Sequence, residues 1–94
     1  MIISKQVTFE GRVQGVGFRY TVKDLARGFD VCGSVKNLND GSVELQVRGE
    51  QDEVDAFIRE ITEESPVSHH IKNFTVIKIP ALENCSGFKI VQGD

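Results

Sequence analysis

The sequence has 94 residues and a mass of 10.4 kDa, which is enough for one domain with one hydrophobic core. Apolar residues make up 39% of the chain and nine glycines add to them, so the composition is that of a globular protein. The net charge of −3 excludes a positive field that would gather nucleic acid. We therefore expect one domain over residues 1–94 and no nucleic-acid partner.

The sequence shows no feature that would place it in a membrane. No uncharged apolar stretch approaches the roughly 20 residues that cross a bilayer, and no basic segment followed by an apolar one opens the chain. We expect a soluble cytoplasmic protein without a membrane partner. Cys32 and Cys85 are too few for a disulfide scaffold and lack zinc-site spacing, so we expect reduced thiols that are buried or idle. They would approach each other only if a fifth strand ran beside the second.

Apolar periodicity divides the chain into strands and helices. Val7 and Phe9 alternate with polar residues, as in a half-buried strand, whereas Val54, Phe57 and Ile58 recur at helical spacing. An Asp-Gly pair between two further alternating segments is typical of a hairpin turn. The predicted elements are a strand over 5–13, a helix over 19–29, hairpin strands over 31–36 and 43–47, a helix around 54–61, a strand over 71–79 and a short edge strand over 88–91.

The order βαββαβ is that of the ferredoxin-like plait. In this α+β fold two helices cover one face of an antiparallel four-stranded sheet, and the first and third strands are central. The short fifth strand is expected at an edge. The register of the strand over 71–79 stays open, because Phe74 and Val76 predict one facing and Ile77 and Ile79 the other. Many functions use this plait, so the fold alone decides none of them.

A glycine-rich segment, GRVQGVGFR over residues 11–19, joins the first strand to the first helix. Glycines allow backbone N–H groups to converge on an anion, and the start of a helix adds partial positive charge. Arg19, at the rim of such a nest, could grip a phosphoryl group with two hydrogen bonds. The same spacing also fits a tight turn without a ligand, in which Arg19 is a solvated residue.

Two segments of the sequence resemble the signatures of the acylphosphatase family. Residues 11–19 resemble the first, and GSVKNLNDGSVE over residues 33–44 resembles the second. Length and element order agree over nearly the whole chain. The resemblance implies a small hydrolase of acyl phosphates that uses no metal and no cofactor. It also implies that Arg19 binds phosphate, that Asn37 orients the attacking water, and that the phosphate cradle consists of Gln14, Gly15, Val16, Gly17, Phe18 and Arg19.

The implied reaction suits these residue types. Its leaving group is a carboxylate of pKa about 4, which departs unprotonated and needs no general acid. The amide of Asn37 can accept a hydrogen bond from water without placing a negative charge beside the phosphate. Neither segment offers a general base, and the resemblance suggests, as a hypothesis, that the bound phosphate itself accepts the water's proton.

Several of these residues also admit simpler interpretations. Asn37, which precedes an Asp-Gly turn, fits a turn-initiating residue, and Gln14 fits a polar strand end that supports the loop. Adjacent His69 and His70 on a strand would point to opposite faces and could not simply share a metal ion, so we interpret them as a solvated pair between a loop and a strand. We therefore expect no metal site.

The same plait also occurs in proteins with functions other than hydrolysis. In larger hydrogenase-maturation proteins a phosphate-handling module of this type is followed by hundreds of residues, whereas this chain ends. An RNA-binding module needs exposed aromatic side chains on the central strands, and residues 43–48 have none. The main alternative is a non-catalytic module that binds small anions or another protein. We expect a monomer whose partner is a small-molecule acyl phosphate.

Overall fold

The computed structural model describes residues 1–92, which form an α+β fold of five strands and two α-helices. A π-helical turn at Glu60–Glu64 and a 3-10 turn at Ser68–His70 connect the second helix to the fourth strand. The elements in chain order are β1 (Ile2–Gly11), α1 (Phe18–Ala26), β2 (Val31–Asn37), β3 (Val43–Glu50), α2 (Gln51–Arg59), β4 (Ile71–Lys78) and β5 (Phe88–Val91).

The strands form one sheet in the order β4-β1-β3-β2-β5, with β1 and β3 at its centre. Neighbouring strands are antiparallel except β2 and β5, which run parallel. The ferredoxin-like plait with a short fifth edge strand is thereby confirmed.

Both helices pack on one face of the sheet and bury its apolar side chains. The ring of Phe18, at the start of α1, lies 5.1 Å from the ring of Phe9 on β1 between centroids. Phe57 of α2 lies 5.7 Å from Phe88 of β5 in the same way. Burial of each large apolar side chain contributes about 2 kcal/mol. The largest fully buried side chains are those of Phe9, Phe18, Phe57, Leu45, Ile61, Val7, Val13, Val22, Val35, Val43, Val47 and Val54.

Two elements end before the apolar pattern does. β1 ends at Gly11, yet Val13 is fully buried in the loop beyond it. α1 ends at Ala26, whereas Phe29 packs against the core from the following turn. Apolar periodicity records which side chains are buried, and burial continues past the last hydrogen bond of an element.

The facing of β4 follows from its pairing with β1. Phe74 lies opposite Phe9 and faces the helices, whereas Ile77 lies opposite Gln6 on the other face. Both remain partly exposed, at 42% and 48%, because β4 is an edge strand. An edge strand with apolar side chains on both faces has no alternation that the sequence could reveal.

Cys32 and Cys85 are joined by a disulfide, which corrects the expectation of reduced, idle thiols. The parallel pairing of β5 with β2 brings the segment before β5 alongside the start of β2, where the Gly33 N–H donates to the Gly87 carbonyl at 3.0 Å. The two cysteine Cα atoms are 5.8 Å apart, within the range of disulfides. The pairing of β5 with β2 therefore predicts the state of the two cysteines better than the expected cellular compartment does.

His69 and His70 lie in the 3-10 turn before β4, and their ring centroids are 4.0 Å apart. The pair thus lies between a loop and a strand, but its two side chains do not point to opposite faces. Consecutive side chains of a 3-10 turn are about 120° apart, whereas those of a strand alternate. Over residues 1–92, no three His, Cys, Asp or Glu side chains converge in a way that could hold a metal ion.

The other face of the sheet is covered by polar side chains on its central strands. Gln6 and Thr8 of β1 lie opposite Gln46 and Glu44 of β3, and the Gln46 amide donates to Gln6 at 3.0 Å. These residues offer hydrogen bonds and no aromatic platform for bases. No helix of the described chain is long and apolar enough to span a membrane.

Candidate active site

Two loops meet at one end of the sheet. Asn37, at the end of β2, pairs with Val43 at the start of β3, and Val43 pairs with Phe9 near the end of β1. Directly opposite residues of neighbouring strands share a face, so the Asn37 side chain lies on the helix-covered face. α1 begins over this same end, because Phe18 packs on Phe9. The loop between β1 and α1 therefore adjoins the hairpin between β2 and β3.

Two glycines shape the loop over residues 12–17. Gly15 and Gly17 both have φ of 78°, a left-handed conformation that costs a residue with a Cβ about 1–2 kcal/mol. A Cβ built on either glycine would meet no atom within 4 Å. Glycine is thus required here by the backbone conformation and not by crowding, and the surface above both residues is open to a ligand.

The loop and the first turn of α1 present a series of free backbone donors. From residue 15 to residue 20, no N–H group donates to an acceptor within residues 1–92. The first turn of α1 also carries no acidic side chain, so the partial positive charge of the helix end is not neutralised. Half-buried Arg19 forms no ion pair with any carboxylate of the described chain. This donor-rich region has the character of an anion site.

Asn37 carries an acceptor without a donor. Its Oδ1 is buried and, within the part of the chain that the structure describes, is the single buried side-chain oxygen or nitrogen that lacks a hydrogen-bond partner. Leaving such a group unpaired costs about 1–3 kcal/mol. Costs of this kind concentrate at functional sites. The oxygen is suited to accept a hydrogen bond from a small donor such as water.

Gln14 joins the glycine-rich loop to the hairpin. Its Nε2 donates to the backbone carbonyls of Leu38 and Ser42, both at 2.8 Å. Two backbone hydrogen bonds close the same turn, from the Leu38 N–H to Ser42 at 2.9 Å and from the Gly41 N–H to Leu38 at 3.2 Å. Leu38 directly follows Asn37, so the contact reaches the residue next to the unpaired acceptor.

Asp40 stabilises the hairpin turn from its exposed side. Its Oδ1 accepts hydrogen bonds from the Ser42 hydroxyl at 2.5 Å and from the Ser42 N–H at 2.9 Å. These two hydrogen bonds, the one from the hydroxyl being the stronger influence, hold the pKa of Asp40 below its ordinary value of 3.8. Asp40 is therefore a charged turn residue, in line with the hairpin role that the Asp-Gly pair predicted.

The structure brings the residues that the sequence singled out to one end of the molecule. Arg19 and Asn37 lie on the two adjoining loops or at their borders. The side chain of Phe18 is buried in the core and that of Val16 packs against it, so both offer a ligand only their backbone. Sequence reasoning missed buried Ser42, although an Asp in a turn commonly accepts a hydrogen bond from the backbone N–H two residues later, which here is that of Ser42.

Comparison with known proteins identifies the family of this chain. A family model described as acylphosphatase matches residues 5–90. An acylphosphatase of Listeria welshimeri is 42% identical over 81 residues, which are 86% of this chain and 87% of the relative. The crystal structure of acylphosphatase from Bacillus subtilis superposes with a TM-score of 0.85 at 35% identity and covers 97% of this chain and 99% of its own. The acylphosphatase of Coxiella burnetii gives a TM-score of 0.83 at 33% identity, over 96% of this chain and 93% of its own. The chain therefore belongs to the acylphosphatase family of enzymes.

Proposed function

We propose that this protein hydrolyses the carboxyl-phosphate bond of acyl phosphates to a carboxylate and inorganic phosphate. The observation that carries the proposal is the unpaired, buried Oδ1 of Asn37 at the same end of the sheet as the free amides of residues 15–20. Free donors suit the oxygens of a phosphoryl group, and an unpaired acceptor suits a water molecule. Membership of the acylphosphatase family supports the same substrate class.

In this proposal the phosphoryl group is held by backbone amides and one guanidinium. Phosphoryl transfer needs mainly positioning and the neutralisation of negative oxygens, which preorganised donors supply. Arg19 adds a charge that is permanent at working pH and can form two parallel hydrogen bonds. The cradle consists of Gln14, Gly15, Val16, Gly17, Phe18 and Arg19, and Gln14 contributes its backbone amide because its side-chain donors are engaged by the hairpin.

Asn37 orients the attacking water in this mechanism. Its Oδ1 accepts one water hydrogen, and the water oxygen forms a bond to phosphorus as the bond from phosphorus to the acyl oxygen breaks. The electron pair of that broken bond leaves with the carboxylate. The second product is phosphate, and the proton of the water passes to a phosphate oxygen, so no protein base is consumed.

The leaving group explains why the site needs no acid. A carboxylate of pKa about 4 is a stable anion at neutral pH and requires no proton on departure. The proposal accordingly includes no metal ion and no cofactor. It also describes a monomer that acts on a small molecule in the cytoplasm. Light scattering at micromolar concentration tests whether the protein is a monomer.

The test is the hydrolysis of benzoyl phosphate, followed by its ultraviolet absorbance with a chelator present. We expect rapid turnover by the wild type and a loss of about 100-fold or more in Asn37→Ala, because the water is no longer oriented. Asn39→Ala is the matched control, since Asn39 is exposed in the same hairpin and should leave the rate unchanged. A folded wild type that binds inorganic phosphate without turnover would instead identify a non-catalytic anion-binding module.

A further inference from the structure

The side chain of Gln14 is the link between the loop that carries the phosphate donors and the hairpin that carries Asn37. A primary amide has two N–H hydrogens, and the Gln14 amide spends both on hairpin carbonyls at 2.8 Å. Its remaining atom, Oε1, is an acceptor only. The side chain therefore has no donor left for a phosphate oxygen and cannot bind phosphate directly.

The two hairpin carbonyls do not depend on Gln14 to be satisfied. The carbonyl of Ser42 already accepts from the Leu38 N–H, and that of Leu38 accepts from the Gly41 N–H. A carbonyl oxygen has two lone pairs, and Gln14 takes the second one on each. The hairpin turn can close without this residue, so Gln14 adds a contact between two loops to a turn that is complete in itself.

The contact between the two loops affects the position of Asn37. Its neighbour Leu38 supplies one of the two carbonyls, and the strand pairing of Asn37 with Val43 ends at the same turn. A shift of about 1 Å in a positioned group can cost about 100-fold in rate. The unpaired Oδ1 and the amides of residues 15–20 lie on different segments, and a contact between those segments sets their separation.

We propose that Gln14 is a positioning residue, which fixes the distance between the phosphate-binding loop and the water-orienting amide of Asn37 through two hydrogen bonds to the hairpin backbone. This inference rests on the proposed hydrolysis of acyl phosphates. It assigns the Gln14 side chain a role in the placement of Asn37 and none in contact with phosphate.

The test compares kcat for benzoyl phosphate with competitive inhibition by inorganic phosphate in Gln14→Met, which keeps the size of the side chain and removes its donors. We expect kcat to fall by about 10- to 100-fold, while the inhibition constant of phosphate stays within about twofold of the wild type. Gln46→Met is the matched control, because it makes the same substitution on the opposite face of the sheet. The Gln46 amide donates to the side chain of Gln6 at 3.0 Å and makes no contact between the two loops. Its kcat should not change.

A double variant separates positioning from an independent effect. Once Asn37→Ala has removed the oriented amide, addition of Gln14→Met should lower kcat by less than about twofold, because both changes act on one step. Full additivity would overturn the proposal, as would a phosphate inhibition constant that rises in parallel with the loss of kcat. If the wild type itself lacks turnover, the proposed function fails; a wild type with turnover and a Gln14→Met variant of unchanged kcat defeats this inference alone.

Gln14→Glu provides a second test, which can be used even if the Gln14→Met variant folds poorly. At neutral pH the introduced carboxylate faces two carbonyl oxygens and has no donor, whereas protonation restores one O–H donor. The ratio of its kcat to that of the wild type should therefore rise as the pH falls from 7 towards about 4.5. A ratio independent of pH would contradict a role for the donated hydrogen bonds.

Discussion

Arg19 occupies the first turn of α1, where the free end of the helix already favours an anion, and no carboxylate of residues 1–92 neutralises it. An unpaired guanidinium contributes little to the fold. It retains its donors for a ligand, and its planar fork matches two oxygens of a phosphoryl group at once. The residue is therefore expected to matter for turnover and not for stability.

The substitution Arg19→Lys isolates the forked geometry from the charge. We expect kcat/KM for benzoyl phosphate to fall by about 100-fold, the scale of losing one preorganised donor to a developing negative charge, with an unchanged melting temperature. Arg27→Lys is the control, because Arg27 is exposed and forms only a surface contact of 3.9 Å with Asp24. Hydrolysis near the wild-type rate in Arg19→Lys would remove this side chain from the mechanism.

At the scale of the element, the β2–β3 hairpin holds Asn37 through interactions that differ in their dependence on pH. Asp40 is stabilised as a carboxylate by the hydroxyl and N–H of Ser42, so its pKa lies lower in the folded chain than in the unfolded chain. A lowered folded-state pKa means that stabilisation is present above the unfolded-state pKa and is lost as the pH falls through the folded-state value.

Asp40→Asn keeps the acceptor and removes the titration. At pH 7 the variant should have a smaller free energy of unfolding than the wild type, and the difference should vanish as the pH falls below 3.8 and the wild-type carboxyl protonates. Urea unfolding across that interval measures it. Glu83→Gln, at an exposed carboxylate in the loop between β4 and β5, serves as control. A difference that stays constant across this pH range would show that the carboxylate charge is irrelevant to the turn.

The elements themselves were largely predictable from the sequence, whereas their ends were not. The spacing of Val54, Phe57 and Ile58 identifies α2 because one face of that helix is buried. Val13 and Phe29 fit the same periodicities but lie outside the strand and the helix, since burial does not require a regular backbone. Apolar pattern reports the core, and the termini of elements depend on hydrogen bonds that it does not record.

The candidate site shows the same division. Arg19 and Asn37 could be singled out because residues 11–19 and 33–44 resemble the two acylphosphatase signatures, and their residue types suit the chemistry that the resemblance implies. The partners of Gln14 are backbone carbonyls, which every residue possesses, so no sequence pattern identifies them. Only the fold shows that the side-chain amide joins two loops, because Leu38 and Ser42 are 24 and 28 residues from Gln14 along the chain.

At the scale of the whole molecule, the disulfide ties the last strand to the rest of the sheet. β5 has four residues and pairs only with β2 within the described chain. Cys32 and Cys85 are separated by 53 residues, and closing a loop of that length restricts the unfolded chain enough to stabilise the fold by about 4 kcal/mol. Cys32 is five residues before Asn37 on β2, about 16 Å along the strand, so the disulfide and the candidate site are at opposite ends.

The double substitution of Cys32→Ser with Cys85→Ser should therefore separate stability from activity. We expect a fall of about 4 kcal/mol in the free energy of unfolding and of about 20 °C in the melting temperature, with kcat for benzoyl phosphate unchanged where the variant is folded. Dithiothreitol should destabilise the wild type to the same extent and leave the double variant unaffected, which controls for the serine substitutions. If a folded variant without the disulfide has a lower kcat than the wild type, β5 supports the candidate site through β2 and does not only stabilise the edge of the sheet.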